Sequence, residues 1–184
     1  MNRRMFLKIL GALAAVAGTT GVLWEVLRPK QEPARTVRPN VYTEGGKSLV
    51  SIVKGKSATD IETMVRRAVD SIGGMGKIVS SGKTVVVKPA ILTSDKNCAP
   101  DPRVVAAIVK LAREAGGTVI VAESSGNGSS AYNLNYVGIT SAAEAAGAQV
   151  KDLHTDKEIS MEVPKGVKLR DVKTYSTIHK CDVL

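Results

Sequence analysis

Residues 84–122 read TVVVKPAILTSDKNCAPDPRVVAAIVKLAREAGGTVIVA, and this stretch decides the fold. Residues 84–88 (TVVVK) form a continuous apolar run, as in strands that are buried on both faces. Pro89 ends this run because proline cannot continue a hydrogen-bonded ladder. A second run of the same kind, TVIVA, occupies residues 118–122. The stretch therefore predicts two buried strands.

A helix is predicted between these two strands. Asp101 stands at the N-cap position with Pro102 as the first helical residue, an arrangement that favours helix initiation. Gly116 and Gly117 end the apolar helical pattern. The order strand, loop, helix, strand predicts a right-handed parallel unit.

The remaining pattern repeats this alternation. We expect an α/β fold in three layers, with a mostly parallel sheet, flanking helices and an edge hairpin. The further predicted strands are 49–54, 149–153, the hairpin pair 159–163 and 168–172, and the beginning of a strand at 182–184; the further predicted helices are 61–72 and 140–146.

Composition limits the classes of function. The chain has 184 residues, of which 43% are hydrophobic, 23% charged and only 3% aromatic. So few aromatic residues leave little material for stacking on bases, and the net charge of +9 is spread thinly. We therefore expect one mildly basic globular domain and no nucleic-acid partner.

The N-terminus closely resembles a twin-arginine translocation signal. Residues 2–8 read NRRMFLK, with Arg3, Arg4, Phe6, Leu7 and Lys8 as the recognised residues. Such a signal is an address that a receptor reads. The resemblance implies that the twin-arginine translocase exports the folded protein to the periplasm or the outer face of the cytoplasmic membrane.

An uncharged run follows at residues 9–24, which is short for a membrane-spanning helix. Cleavage after Ala17 and retention of residues 9–27 as a membrane anchor both fit the sequence. The predicted organisation is a signal or anchor at 1–27, a flexible linker at 28–46 rich in proline and charge, and the α/β domain at 47–184.

Ligands of parallel sheets bind where the strands end. The two strands of the decisive stretch end in polar residues that could hold a small anion such as a phosphate or carboxylate. In the alternative interpretation, the lysine simply faces water and the second segment is a flexible turn. The candidate ligand-binding residues are Lys88, Asp101, Glu123, Ser124, Ser125, Gly126 and Gly128.

Other chemistries fit less well. Gly126, Gly128 and Ala131 follow the spacing of a dinucleotide-binding loop, but the residues after them, YNLNYVG, are poor helix formers, so we expect no nicotinamide or flavin site. A serine nucleophile would need His154 or His179 as its base, and neither stands in a recognisable triad context. Catalytic residues are therefore not assigned.

The cysteines predict no metal centre. Cys98 and Cys181 are too few to hold an iron-sulfur cluster, and His179 with Cys181 would make only two ligands. A disulfide between the two cysteines and two separate buried thiols are both compatible with the sequence.

The segment from about residue 50 to 184 resembles the domain-of-unknown-function family 362. The matching motifs are VVVKPAIL (85–92), DPRVVAAIVKLAREAGGTVIVAESSG (101–126) and CDVL (181–184). Members of that family usually carry Asn where this chain has Ala90. Many continue into a lysine- and histidine-containing segment and a cysteine-rich iron-sulfur part, so the resemblance implies that this chain is an N-terminal half with no cofactor of its own.

These observations lead to two expectations about function. The first is an exported protein of uncharacterised activity that binds a small anionic ligand or serves an iron-sulfur or redox-associated envelope system. The second is a non-catalytic fragment or partner-binding module that lacks its C-terminal half. An unfinished strand at residues 182–184 favours the second.

Overall fold

A computed structural model of the protein describes residues 39–55 and 60–184. The expected signal residues Arg3, Arg4, Phe6, Leu7 and Lys8, and the apolar run after them, lie outside the described residues. Within the described ranges, no helix is both long enough and apolar enough to cross a bilayer.

The described part begins with a small antiparallel ribbon. Strands β1 (Thr43–Glu44) and β2 (Lys47–Ser48) pair across a turn at Gly45 and Gly46, both of which have positive φ. Helix α1 (Ile61–Asp70) follows, after residues 49–55. Residues 49–54 were expected to form a strand, and this prediction is wrong: the segment pairs with no described strand.

The decisive stretch folds as predicted. Strands β3 (Thr84–Val87) and β4 (Thr118–Glu123) are parallel neighbours, and helix α2 (Pro102–Glu114) connects them. Strand β5 (Gln149–Asp152) adds to the other side of β4, again in parallel, which gives the order β3-β4-β5. All three carboxyl ends therefore lie at one edge of the sheet, called the carboxyl edge below.

Helix α2 begins and ends at the expected signals. The Asp101 side chain accepts a hydrogen bond from the N–H of Arg103, and Pro102 is the first helical residue. Gly116 has φ +91°, the left-handed conformation in which glycine commonly ends a helix.

Two short helices connect β4 to β5. Helix α4 (Ile139–Ala145) agrees with the prediction, whereas helix α3 (Ser130–Tyr136) contradicts the expectation that residues after the glycine-rich loop would not be helical. The physical reason is tertiary packing: Leu134 is fully buried, and Ser129 caps the helix by accepting the N–H of Tyr132.

Successive residues of the strands point to opposite faces of the sheet and pack into two different apolar clusters. Val85, Val119 and Val121 pack with residues of α2, α3 and α4. Val86 and Ala122 point to the opposite face, where they pack with Cys181. This alternation confirms a sheet that is buried on both faces.

The predicted hairpin exists, but it is not an edge of the parallel sheet. Strands β6 (Glu158–Glu162) and β7 (Asp171–Tyr175) form a two-stranded sheet of their own. The second strand begins three residues later than expected, because Lys168 to Arg170 belong to the loop. Helix α5 (Ser176–Lys180) follows directly.

Residues 182–184 were expected to begin a strand, and the structure places Val183 beside β3. Val183 forms a parallel bridge with Val85, and the N–H of Val86 donates to the Val183 carbonyl oxygen at 2.8 Å. Asp182 secures this arrangement, since its carboxylate accepts the N–H of Thr84 at 2.9 Å and the ammonium of Lys83 at 3.0 Å.

Candidate functional site

The carboxyl edge is organised around an ion pair whose carboxylate is buried. The Nζ atom of Lys88, directly after β3, lies 2.6 Å from Oε1 of Glu123 at the end of β4. The Glu123 side chain has no exposed surface, whereas the Lys88 side chain is 40% exposed. The pair therefore joins a fully buried carboxylate to a lysine whose side chain is partly exposed.

Two backbone groups complete the surroundings of the carboxylate. Oε2 of Glu123 accepts the N–H of Ile91 at 2.8 Å, and Oε1 accepts the N–H of Ser124 at 2.8 Å. A buried carboxylate is tolerable only when it is paired and hydrogen-bonded, and Glu123 meets both conditions. These bonds fix the loop after β3 against the end of β4.

The loop after β3 carries a strained residue. Ala90 has φ +60°, in the left-handed region that residues other than glycine, asparagine and aspartate rarely adopt. Ile91 is buried, and its bond to Glu123 holds the backbone in this conformation. Strain of this kind persists only where its surroundings enforce it.

The glycine-rich loop after β4 is anchored at several points. The N–H of Ser125 donates to Oγ of Ser130 at 2.8 Å, and the N–H of Asn127 donates to the carbonyl of Leu92 at 3.1 Å. Leu92 lies so close to Gly126 that an added Cβ would come within 2.6 Å of its Cδ1 atom. These contacts connect the loop to Ser130 and to the loop after β3.

The hydroxyl of Ser125 in this loop is buried without a hydrogen-bond partner in the part of the chain that the structure describes. Ser125 is only 4% exposed, and its Oγ atom has no hydrogen-bond partner among the described residues. Because buried polar groups are normally satisfied, this hydroxyl is an exception among the described residues. Gly126 and Gly128 on the same loop are exposed, and Gly128 has φ +74°.

A second polar group extends the site to the end of β5. The Oγ atom of Ser130, which is fully buried, lies 3.2 Å from Nδ1 of His154. The same nitrogen lies 3.5 Å from Oδ1 of Asp152, which also accepts the backbone N–H of His154 at 2.9 Å. Serine, histidine and aspartate are therefore linked in space.

This group does not have the geometry of a catalytic triad. In a triad the aspartate and the serine contact different ring nitrogens, so that one orients the imidazole while the other gives up its proton. Here both contacts involve Nδ1 of His154. Ser130 is also buried and already accepts the Ser125 N–H, so it lacks the exposure that a nucleophile needs.

Asp101, the remaining predicted site residue, has a different set of contacts. Its carboxylate caps α2 and forms a two-point ion pair with Arg103, at 2.6 Å and 3.0 Å. The hydrogen bonds from the Arg103 side chain and backbone N–H hold the pKa of Asp101 below its ordinary value. These contacts assign Asp101 to the helix cap.

The cysteines and histidines do not assemble a metal site. Cys98 is exposed, while Cys181 is buried and donates its thiol to the carbonyl of Ile178; both are free. Within the described part of the chain, no three histidine, cysteine or acidic side chains are grouped to hold a metal ion. His179 belongs to helix α5, and Cys181 directly follows that helix.

From the sequence, His154 was named only as a possible base, and neither His154 nor Asp152 was placed at the end of the third strand. Asp152 is the last residue of β5 and His154 lies two residues beyond it, just as Lys88 follows β3. The rule that ligands meet the carboxyl ends of parallel strands would have named them too. Ser130 had no such signal, because its role depends on helix α3.

Two comparisons with known proteins bear on this chain. Residues 85–184 match the family model described as Domain of unknown function (DUF362). A thylakoid-associated protein of Synechocystis sp. is 33% identical over 103 residues, which cover 52% of this chain and 32% of that protein. The chain thus spans about a third of the length of this curated relative. No solved structure matches the chain.

Proposed function

The chain belongs to the DUF362 family, and from that premise we propose that it is an exported protein that binds a small anionic ligand at the carboxyl edge of its parallel sheet. The ligand class is a phosphate or a carboxylate. The residues that would hold it are Lys88 and the loop from Glu123 to Gly128.

The observation that carries this proposal is the state of Lys88. Its ammonium is held by a carboxylate that two backbone N–H groups fix in place, yet 40% of the side chain faces solvent. An ammonium carries three N–H groups, so one bond to Glu123 leaves donors for a ligand. Since the side chain is already ordered, binding costs less conformational entropy than it would at a mobile surface lysine.

The neighbouring loop supports the same proposal. The unpartnered Ser125 hydroxyl is a second donor at the same edge, and glycines at 126 and 128 let a ligand approach the backbone closely. The neutral Lys88–Glu123 pair gives little long-range attraction, so recognition would rest on short hydrogen bonds. A small, compact anion suits such a site.

Thermal-shift measurements of the full chain test this proposal. Inorganic phosphate, citrate and malonate are added in turn to the wild type, to Lys88→Met and to Lys88→Arg. We expect at least one anion to raise the melting temperature of the wild type, to raise that of Lys88→Arg in part, and to leave Lys88→Met unchanged.

A matched control separates the site from general charge effects. Lys110 also forms an ion pair, with Glu62, on the exposed surface of α2. Lys110→Met removes the same charge away from the carboxyl edge and should retain the full anion response. Equal shifts of the melting temperature in Lys88→Met and the wild type would contradict the proposal.

The proposal that the protein is exported is based on its N-terminal residues. We propose that Arg3 and Arg4 direct the folded chain to the twin-arginine translocase, with the protein acting at the periplasmic side of the membrane, within a redox-associated envelope system. The name of the thylakoid-associated relative is consistent with a membrane-linked location. Replacing both arginines with lysine should leave the protein in the cytoplasm; continued export of that variant would contradict the assignment.

A second candidate function has its own observation. The outer side of β3 is bridged by Val183, and beside it lies an apolar groove of about 220 Å³ lined by residues that include Ile78, Val87 and Leu184. We propose as the alternative a partner-binding module whose sheet accepts a further parallel strand from another polypeptide at this side.

Hydrogen exchange distinguishes the two functions. A strand added along β3 would protect the Lys88 amide, whereas a small anion at the carboxyl edge would leave amide exchange along β3 largely unchanged. The Val119 amide in the central strand β4 serves as the internal reference, because β4 is already paired with β3 on one side and with β5 on the other.

A further inference from the structure

The loop between β6 and β7 exposes apolar side chains among basic ones. Residues 163–170, called the tip loop below, read VPKGVKLR. Val167 is 90% exposed and Leu169 is 59% exposed. The basic side chains around them, also exposed, are Lys165, Lys168 and Arg170.

The tip loop is closed by its own backbone. The N–H of Val163 donates to the Arg170 carbonyl at 2.8 Å, and the N–H of Gly166 donates to the Val163 carbonyl at 3.0 Å. An added Cβ on Gly166 would collide with the Leu169 carbonyl oxygen. Val167 is therefore presented by a tight, hydrogen-bonded loop that leaves its side chain in solvent.

The charges of the tip loop are unbalanced. Lys165, Lys168 and Arg170 form no ion pair with any residue in the described part of the chain. The acidic residues of the hairpin, Glu162 and Asp171, stand at its neck, where Asp171 lies 3.5 Å from the Ser160 hydroxyl. The outer end of the hairpin thus carries three cations and no anion.

Apolar side chains flanked by cations are complementary to one kind of surface in particular. A bilayer with anionic lipids offers phosphate groups for lysine and arginine, and acyl chains just below them for valine and leucine. Nucleic acid fits less well, because the tip loop has no aromatic residue to stack on a base.

We propose that the tip loop binds the surface of anionic lipid bilayers, with Val167 and Leu169 entering the interface and Lys165, Lys168 and Arg170 contacting lipid phosphates. Each basic residue close to such a surface strengthens binding about fivefold. The three together therefore contribute up to about a hundredfold, an effect that salt weakens.

Vesicle flotation of the full chain tests the charges. The vesicles contain phosphatidylcholine alone or phosphatidylcholine with phosphatidylglycerol, which gives them an anionic surface. Changing Lys165, Lys168 and Arg170 together to Gln should weaken binding to the anionic vesicles at least about tenfold.

The matched control changes three exposed basic residues elsewhere, Lys47, Arg67 and Lys180, to Gln and should weaken vesicle binding much less. Equal losses in the two triple variants would overturn the proposal.

A local probe keeps the test independent of any other membrane contact of the chain. In a Cys98→Ser background, the remaining Cys181 is 1% exposed and does not react, so Val167→Cys can be labelled with a polarity-sensitive fluorophore. We expect a blue shift on anionic vesicles at position 167 and none at the exposed control Asn135→Cys. No shift at position 167, or a shift only with an added protein or nucleic acid, would contradict a lipid-binding loop.

Discussion

Oε1 of Glu123 lies 2.6 Å from the ammonium of Lys88, although the glutamate has no exposed surface and the lysine is 40% exposed. Lys88 directly follows β3 and Glu123 ends β4, so the parallel pairing of these strands brings the two residues together across 35 positions of sequence. This pair defines the carboxyl edge of the sheet.

Glu123→Ala should strongly destabilise the protein. The change leaves the N–H groups of Ile91 and Ser124 without their acceptor and removes the partner of Lys88. We expect a loss of about 3 kcal/mol in the free energy of unfolding, measured by urea titration. The exposed pair provides the control: Glu62→Ala should cost less than about 1 kcal/mol, and equal costs would contradict a central role for Glu123.

Ser130→Ala tests the link between the ends of β4 and β5. It removes the acceptor of the buried Ser125 N–H, which should cost about 1–3 kcal/mol by denaturant titration. His154→Ala should cost less, because the imidazole is exposed and Ser130 keeps its bond to Ser125. A larger loss of stability for His154→Ala than for Ser130→Ala would show that the contacts among Ser130, His154 and Asp152 depend on the imidazole ring.

Ala90→Asn should stabilise the protein. Alanine at φ +60° is strained, while asparagine adopts the left-handed region more readily. We expect a gain of about 0.5–1 kcal/mol in the free energy of unfolding, with Ala90→Gly in the same direction. Ala90→Val should be destabilising, and a gain from valine would contradict the observed backbone conformation.

Asp156 should make stability depend on pH. Burial raises its pKa, but hydrogen bonds from Lys151, from Thr177 and from the Lys157 backbone outweigh this effect and lower the pKa well below the ordinary value of 3.8. A lowered pKa in the folded state means that the stabilisation is present above pH 3.8 and disappears as the pH falls toward the folded-state pKa.

Denaturant titrations of the wild type and Asp156→Asn between neutral and strongly acidic pH measure this contribution. The difference in free energy of unfolding should be constant at neutral pH and shrink below pH 3.8. A difference that does not change with pH would mean that the carboxylate charge is unimportant.

The fold of residues 84–123 could be predicted because its signals are local. The cap at Asp101, the proline after it and the glycine at position 116 each act within a few residues, and the structure confirms all three. The elements that were mispredicted depend on distant contacts. Helix α3 exists because Leu134 is buried, and residues 49–54 are not a strand because no partner strand lies beside them.

The sequence predicted where the candidate site lies, but not how its side chains are paired. The end-of-strand rule brought Lys88 and Glu123 to one edge, but no sequence pattern states that one side chain is buried and paired with the other. Asp101 was placed in the same set because it follows the first loop, whereas its geometry is that of a helix cap. Side-chain pairing depends on packing, which periodicity does not report.

Calorimetric titration of the full chain with the anion that gives the largest thermal shift tests the central claim most directly. Losing one charge-assisted hydrogen bond costs about 1.5–3 kcal/mol, so Lys88→Met should weaken binding about tenfold to a hundredfold, while Lys110→Met binds as the wild type does. Unchanged affinity in a folded Lys88→Met variant would contradict an anion site at the carboxyl edge.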